Sequence, residues 1–188
     1  TAGDDASAIV AGLWAGAIDS RDRFWVSRAQ HFVAGLILYL LSDCPPSQRN
    51  LASIRDLTGE TISNPESMIE RLRSSTYPEV RRIVSTVLIP ARETVGGIMA
   101  FAQELTDFLR GPLIQKAIGK SSFSLDDITR GDPLSVYLVL PPHMLESHGR
   151  LLRLWVSTLI TAITRRRTQP PRPTLFLLDE AAQLGTLS

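Results

Sequence analysis

A single cysteine, Cys44, stands in 188 residues, so no internal disulfide can staple the fold, and a reducing compartment is the natural expectation. An excess of either charge is missing too. Twenty Lys and Arg face nineteen Asp and Glu, which excludes a nucleic-acid coat or a polybasic membrane binder as a property of the whole chain. The run that most invites a membrane reading, Phe32 to Leu41 (FVAGLILYLL), is bounded by His31 and by Ser42-Asp43. It falls well short of the roughly 20 apolar residues a span needs and reads as a buried helix. The opening TAGDDASA has no basic stretch followed by an apolar one, so no signal peptide is expected. No initiator Met opens the sequence and it stops just past a motif, so it reads as a piece of a longer chain. His31, His143 and His148 lack metal-ligand spacing, and without a second cysteine a zinc site is not expected.

What is present up to about residue 130 is helical periodicity with proline and glycine punctuation. Asp4-Asp5 caps a helix carrying Ile9, Leu13, Trp14, Ala17 and Ile18 on one face. Asp19 or Ser20 starts a longer one through Phe24, Trp25, Phe32 and Leu36, ended by Asp43-Cys44-Pro45-Pro46. Ser47 opens a third with Leu51, Ile54 and Leu57 inward and Gly59 at its end. Asn64-Pro65 and Tyr77-Pro78 are two further start signals, the first leading to Met68, Ile69 and Leu72, the second to Val80, Ile83, Val84 and Val87. After Pro90, the positions Val95, Ile98, Ala102, Leu105 and Leu109 form an apolar seam closed by Gly111-Pro112. The expected fold class is mainly α, a helical bundle over residues 1 to 130. The tryptophans Trp14, Trp25 and Trp155 fall on apolar helix faces, as core residues do.

At Asp132-Pro133 the period changes. Leu134 to Leu140 (LSVYLVL) and Thr174 to Leu178 (TLFLL) are apolar without alternation, as expected of strands covered on both faces in a parallel sheet. Between them lies a long helical stretch, about Met144 to Arg167, with Arg165-Arg166-Arg167 at the end where cations suit the helix dipole. Strand, helix and strand make one right-handed crossover of an α/β domain, residues 131 to 188. Taken out of a larger sheet, such a piece would leave strand edges bare.

The second apolar run leads straight into Asp179-Glu180. In P-loop ATPases a buried strand holds its C-terminal tip beside the nucleotide phosphates, where the first acid helps hold Mg²⁺ and the second polarises the attacking water. The bland alternative is a buried strand ending in a charged loop. A phosphate-binding loop is not found. Gly119-Lys120-Ser121 supplies a GKS, but the glycine that G-x-x-x-x-G-K-[ST] requires at position 114 is Ile114. Leu113 to Ile118 reads as a short helix with Gly119 at its C-terminus. Catalysis by this sequence alone is therefore not expected.

The segments Ala34 to Tyr39 (AGLILY), Ser121 to Ile128 (SSFSLDDI), Val136 to Pro142 (VYLVLPP), Arg150 to Val156 (RLLRLWV) and LFLLDEAAQLG at 175 to 185, in that order along the chain, resemble the TraG family of type IV secretion coupling proteins. The resemblance implies a membrane-anchored ATPase whose all-α domain is inserted into a RecA-like nucleotide-binding domain between the two Walker motifs. It implies that Asp179 is the Mg²⁺-linked acid, that Glu180 is the catalytic glutamate, and that Leu184-Gly185 form the turn after the strand. Implied cofactors are ATP and Mg²⁺ in the full-length protein, which would be a hexamer. The implied place is the cytoplasmic face of the bacterial inner membrane. Implied partners are secreted effector or relaxase proteins, single-stranded DNA, and other components of the secretion system.

Local charge helps choose among them. Residues 1 to 131 hold 14 Lys/Arg and 15 Asp/Glu, whereas a sequence-independent DNA grip relies on clustered cations. A receptor for protein cargo is favoured. Candidate contacts are Arg71, Arg73, Arg81 and Arg82, although Glu66, Glu70 and Glu79 among them also fit a solvated mixed-charge face. A DNA-contacting insertion and an unrelated helical scaffold with a fortuitous acid pair remain the alternatives.

Overall fold

The computed structural model describes residues 2–13, 22–88, 91–170 and 172–179. It divides into two compact units, Thr1–Lys120 and Ser121–Ser188. Among the described residues the chain is mainly α-helical, and no β-strand is formed.

In the first unit, α1 (Ala2–Leu13) and α2 (Arg23–Asp43) are followed by α3 (Leu51–Ser63), α4 (Pro65–Arg73), α5 (Pro78–Ile83), α6 (Arg92–Thr106) and α7 (Pro112–Ile118). The centre is α2, packed by α1, α3, α5 and α6. Enclosure on all sides explains why its sequence is apolar all round, with every residue from Phe32 to Leu40 buried. By length and composition α2 is also the one described helix that could cross a membrane, although it is mostly buried within the unit. Met68 and Leu72 of α4, Val80 and Ile83 of α5, and Ile98, Ala102 and Leu105 of α6 complete the core.

The helix ends follow local chemistry. Asn64 closes α3 with its backbone and opens α4 by accepting a hydrogen bond from the Ser67 amide, with Pro65 at the first turn. Pro78 does the same service for α5, which widens into a π-helical turn at Val84–Leu88. Two boundaries differ from the sequence expectation. The third helix begins after Asn50, whose side chain accepts from the Ser53 amide, while Pro46–Gln48 is a single 3₁₀ turn. It also runs through Gly59, which has open space around it. Inside it, Thr58 and Thr61 bond back to the Ile54 and Leu57 carbonyls, so their burial leaves no hydroxyl unpaired. Phe24 is exposed, with its ring edge-on to Trp25 and Arg28 above it. Trp14, Ala17, Ile18, Asp19 and Ser20 lie outside the described residues.

Asp43 ties the end of α2 to the turn before α5. Its carboxylate accepts from the Ser42 and Ser75 hydroxyls and from the Thr76 amide and hydroxyl. Burial pushes its pKa up, but these bonds outweigh burial and hold it below the usual carboxylate value. A depressed folded-state pKa means stabilisation that is present above the unfolded value of about 4 and is lost as pH falls through the lower folded value. Asp43→Ala should therefore cost about 1 kcal/mol at pH 7, a modest figure because the carboxylate is partly exposed. Urea titrations should show the gap between wild type and variant closing as pH drops below about 4.

In the second unit, α8 (Leu125–Arg130) packs on α9 (Leu145–Thr164). A reciprocal capping box of Ser124 and Asp127 opens α8. The two segments expected to be strands, Leu134–Leu140 and Thr174–Leu178, are not in a β-ladder. The sequence pattern is apolar on both faces, but each segment has one face bare. Tyr137 and Val139 are 84% and 80% exposed, and Leu175 and Leu177 are 78% and 85% exposed. An all-parallel sheet needs cover on both sides, and two strands alone are marginal. The crossover pattern in the sequence is thus real as helix and extended chain, but not as sheet.

Candidate functional site

The second unit holds a cavity of about 480 Å³ between α9 and the two extended segments. Leu152, Val156 and Leu159 of α9 line it opposite Val136, Leu138 and Phe176. Asp132, Arg166 and Asp179 supply its charged groups. Along Leu175–Leu178 exposure alternates, with Phe176 and Leu178 on the more sheltered side. Asp179 follows directly and is exposed, in a turn. A carboxylate in water at the tip of an apolar segment is free to take a hard cation or to make polar contacts.

Glu180 and Leu184-Gly185 lie outside the described residues. Among the described residues no group of three or more His, Cys, Asp or Glu is gathered to hold a metal ion. Asp179 fits a Mg²⁺–nucleotide as one oxygen ligand or one link to the ion's water shell, the kind of partial contribution this ion ordinarily receives from protein. Gly119, the glycine of the GKS triplet, follows α7 in helical conformation at φ −73° and ψ −22°. Lys120 and Ser121 continue into an irregular segment, and the next helix begins only at Leu125. A phosphate loop must open a helix directly with its Lys-Ser, so this triplet does not form one.

The four candidate arginines of the first unit have different surroundings. Arg71 is engaged within the fold. Its Nη1 donates to Glu60 Oε1 at 2.7 Å and its Nε to Tyr39 Oη at 3.2 Å, with the guanidinium 5.5 Å from the Tyr39 ring centre. Burial works against its charge, but the bonds to Tyr39 and Glu60 prevail and leave it more firmly protonated than usual. Arg81 donates to the Ser75 carbonyl at 2.6 Å. Arg73 and Arg82 are exposed in the last turns of α4 and α5. Three other cations of this unit, Arg49, Arg55 and Arg110, are likewise engaged internally. Arg49 donates to the Cys44 carbonyl, and both Arg55 and Arg110 pair with Asp107.

One polar junction went unread in the sequence. Arg166, expected only to complement the helix dipole, reaches from just beyond α9 to the Ile128 carbonyl of α8 and to the Thr174 hydroxyl. Nothing local signals such a reach, since three consecutive arginines after a helix look alike.

No solved structure matches the chain. Among proteins similar in sequence are the conjugal transfer protein TraG of Agrobacterium fabrum, 29% identical over 175 residues, and that of Rhizobium radiobacter, 28% identical over 175 residues. The type IV secretion system-coupling protein VirD4 of Bartonella quintana is 22% identical over 173 residues. These alignments take in 89%, 89% and 90% of the chain but only 26%, 27% and 27% of the relatives. The chain thus spans about a quarter of their length. The profile of the type IV secretory system conjugative DNA transfer family matches residues 3–188, and the chain belongs to that family.

Proposed function

We propose that this chain is the substrate-recognition part of a type IV secretion coupling ATPase, recruiting protein or nucleoprotein cargo to the secretion channel. In this reading residues 1 to 130 form the all-α receptor domain, and residues 131 to 188 are part of a RecA-like domain that carries the Walker B acids. The parent protein works at the cytoplasmic face of the bacterial inner membrane, as a hexamer.

The observation that carries the receptor role is that five arginines of the first unit are engaged within the fold itself. Arg49, Arg55, Arg71, Arg81 and Arg110 are occupied by the fold's own carbonyls, carboxylates and Tyr39. Acids are as numerous as bases over this part of the sequence. A general grip on DNA needs several unoccupied cations tracking a phosphate backbone, and each phosphate contact adds to the salt dependence. Scattered arginines among acids instead favour selective pairing with a protein surface, where an exposed guanidinium can hold a carboxylate bidentately. Arg73 and Arg82 are the members of the set best placed for that. Relaxases or secreted effectors are the proposed partners, with single-stranded DNA as the competing one.

The motor role rests on LFLLDE. Bound Mg²⁺–ATP would supply the transferable phosphoryl group. Asp179 would contribute a carboxylate toward the ion, and Glu180 would take a proton from the attacking water. No phosphate loop is formed among the described residues, so those two acids serve hydrolysis only together with the rest of the parent protein.

Arg73→Glu/Arg82→Glu should weaken cargo capture by about tenfold, the scale of one or two lost charge-assisted contacts. The thermal midpoint should be nearly unchanged, because exposed charges contribute little to stability. Capture of secreted proteins by the chain, before and after the substitutions, measures this. Equal capture by the variant would remove these arginines from the interface.

A further inference from the structure

We infer that Arg166 is a positioning residue that fixes where the segment bearing Asp179 starts relative to the segment that follows α8. The inference deepens the motor reading given above and rests on it.

The geometry is a three-way junction within the second unit. Arg166 Nε donates to the Ile128 carbonyl at 3.0 Å, Nη2 donates to the same oxygen, and Nη1 donates to Thr174 Oγ1 at 2.8 Å. Ile128 lies in the last turn of α8, and the chain leaves that turn along a fixed path. Gly131, at φ +79°, returns its N–H to the Asp127 and Ile128 carbonyls, and the Asp132 amide also bonds to Asp127. Arg130 pairs with both Asp127 and Asp132. A side chain at position 131 would be strained by the positive φ and would run into Pro170 of the return loop. The point from which Asp132–Leu140 departs is therefore held, and Arg166 attaches the first residue of the other segment, Thr174, to that same point.

Only a guanidinium can do this. Its fork places two donors on one acceptor while a third reaches sideways, whereas an ammonium is a single point with no fixed plane. The consequence reaches Asp179, because only the four residues Leu175 to Leu178 of extended chain separate it from Thr174. A slip of one residue would move the acid by about 3.3 Å and turn its side chain to the opposite face. Displacements near 1 Å already cost about 100-fold at a reacting centre.

The test uses the full-length protein with Arg166→Ala, Arg166→Lys and Thr174→Val, reading ATP turnover, Mg²⁺ dependence and hydrogen exchange. Arg166→Ala should lower turnover by about tenfold or more and raise the half-saturating Mg²⁺ several-fold, with KM for ATP at saturating Mg²⁺ changed less than about twofold. Arg166→Lys should recover only part of the loss. Thr174→Val should act in the same direction and add nothing in the Arg166→Ala background. Amides of residues 174–179 should exchange faster in Arg166→Ala while those of α9 do not. Exchange that is unchanged, or that rises across the whole domain with Mg²⁺ dependence unaltered, would overturn the inference. Faster local exchange with unaltered turnover would also overturn it. If Asp179→Asn leaves hydrolysis intact in the same assay, it is the motor reading that has failed. Local exchange in Arg166→Ala then still decides whether Arg166 holds the segment start.

Discussion

Glu180→Gln in the full-length protein is expected to keep nucleotide binding while losing about 100-fold or more of its turnover. The substitution is isosteric and removes only the ability to accept a proton from water, so the loss belongs in kcat. Asp179→Asn should act differently. An amide oxygen is a weaker ligand for Mg²⁺ than a carboxylate, so the half-saturating Mg²⁺ should rise together with the fall in rate. The pair of phenotypes separates the two acids that stand side by side in LFLLDE. Undiminished hydrolysis in Glu180→Gln, measured as phosphate release with nucleotide binding as control, would remove the catalytic assignment.

The largest effect on the fold is expected at Gly35. It lies in the middle of α2 among nine consecutive buried residues, and a Cβ placed there would overlap Ile83 Cδ1 and crowd Cγ1. The absent side chain is what lets α5 pack this closely against α2. Gly35→Ala gains about 1 kcal/mol in helix propensity, but overpacking costs about 1 to 3 kcal/mol, so the net should be a small loss. Gly35→Leu cannot be absorbed by one rotamer change. It should cost about 3 kcal/mol or more and lower the thermal midpoint by about 10 °C on the usual scaling for a domain of this size. Ile83→Ala supplies the check. Combined with Gly35→Ala it should be less damaging than the sum of the two changes, because the added methyl enters the space vacated by the isoleucine. Strict additivity in denaturant melts would contradict the close-approach explanation.

The sequence was most informative where a local rule decides the outcome. Asn64-Pro65 and Tyr77-Pro78 start helices because a cap and a preset φ act within one turn. Asp43-Cys44-Pro45-Pro46 ends α2 for a similar reason. It was less informative where two local signals competed. Ser47 and Asn50 can both cap, and Pro46 drew the first into a 3₁₀ turn. Gly59 could end a helix, but Thr58 and Thr61 buried behind it, and the cap at Asn64, carry α3 through. Long-range relations were not legible at all. Gly35 looks like any small residue in an apolar run until Ile83, 48 positions later, is beside it. Arg166 looks like its two arginine neighbours until Ile128 and Thr174 are on either side.

At the candidate site the residue types were legible and the arrangement was not. An apolar run followed by two acids points to Asp179 and Glu180, but the strands that would hold such a tip are extended segments without a ladder. Pairing requires neighbours and a second covering layer, which periodicity in one segment cannot provide. The four candidate arginines were likewise equivalent in sequence. Packing distinguishes them, because Arg71 meets Glu60 and Tyr39, and Arg81 meets Ser75, while Arg73 and Arg82 project from helix ends.

The central claim, that the helical unit receives protein cargo and does not grip nucleic acid, is tested most directly by titrating the chain against a relaxase or a secreted effector and against single-stranded DNA. Each titration is repeated at several salt concentrations between about 50 and 200 mM, the range over which phosphate contacts declare themselves. The account predicts saturable binding to a protein cargo with a shallow salt slope, and weak binding to DNA. Tight DNA binding that falls steeply with salt, together with no affinity for any such protein, would contradict it.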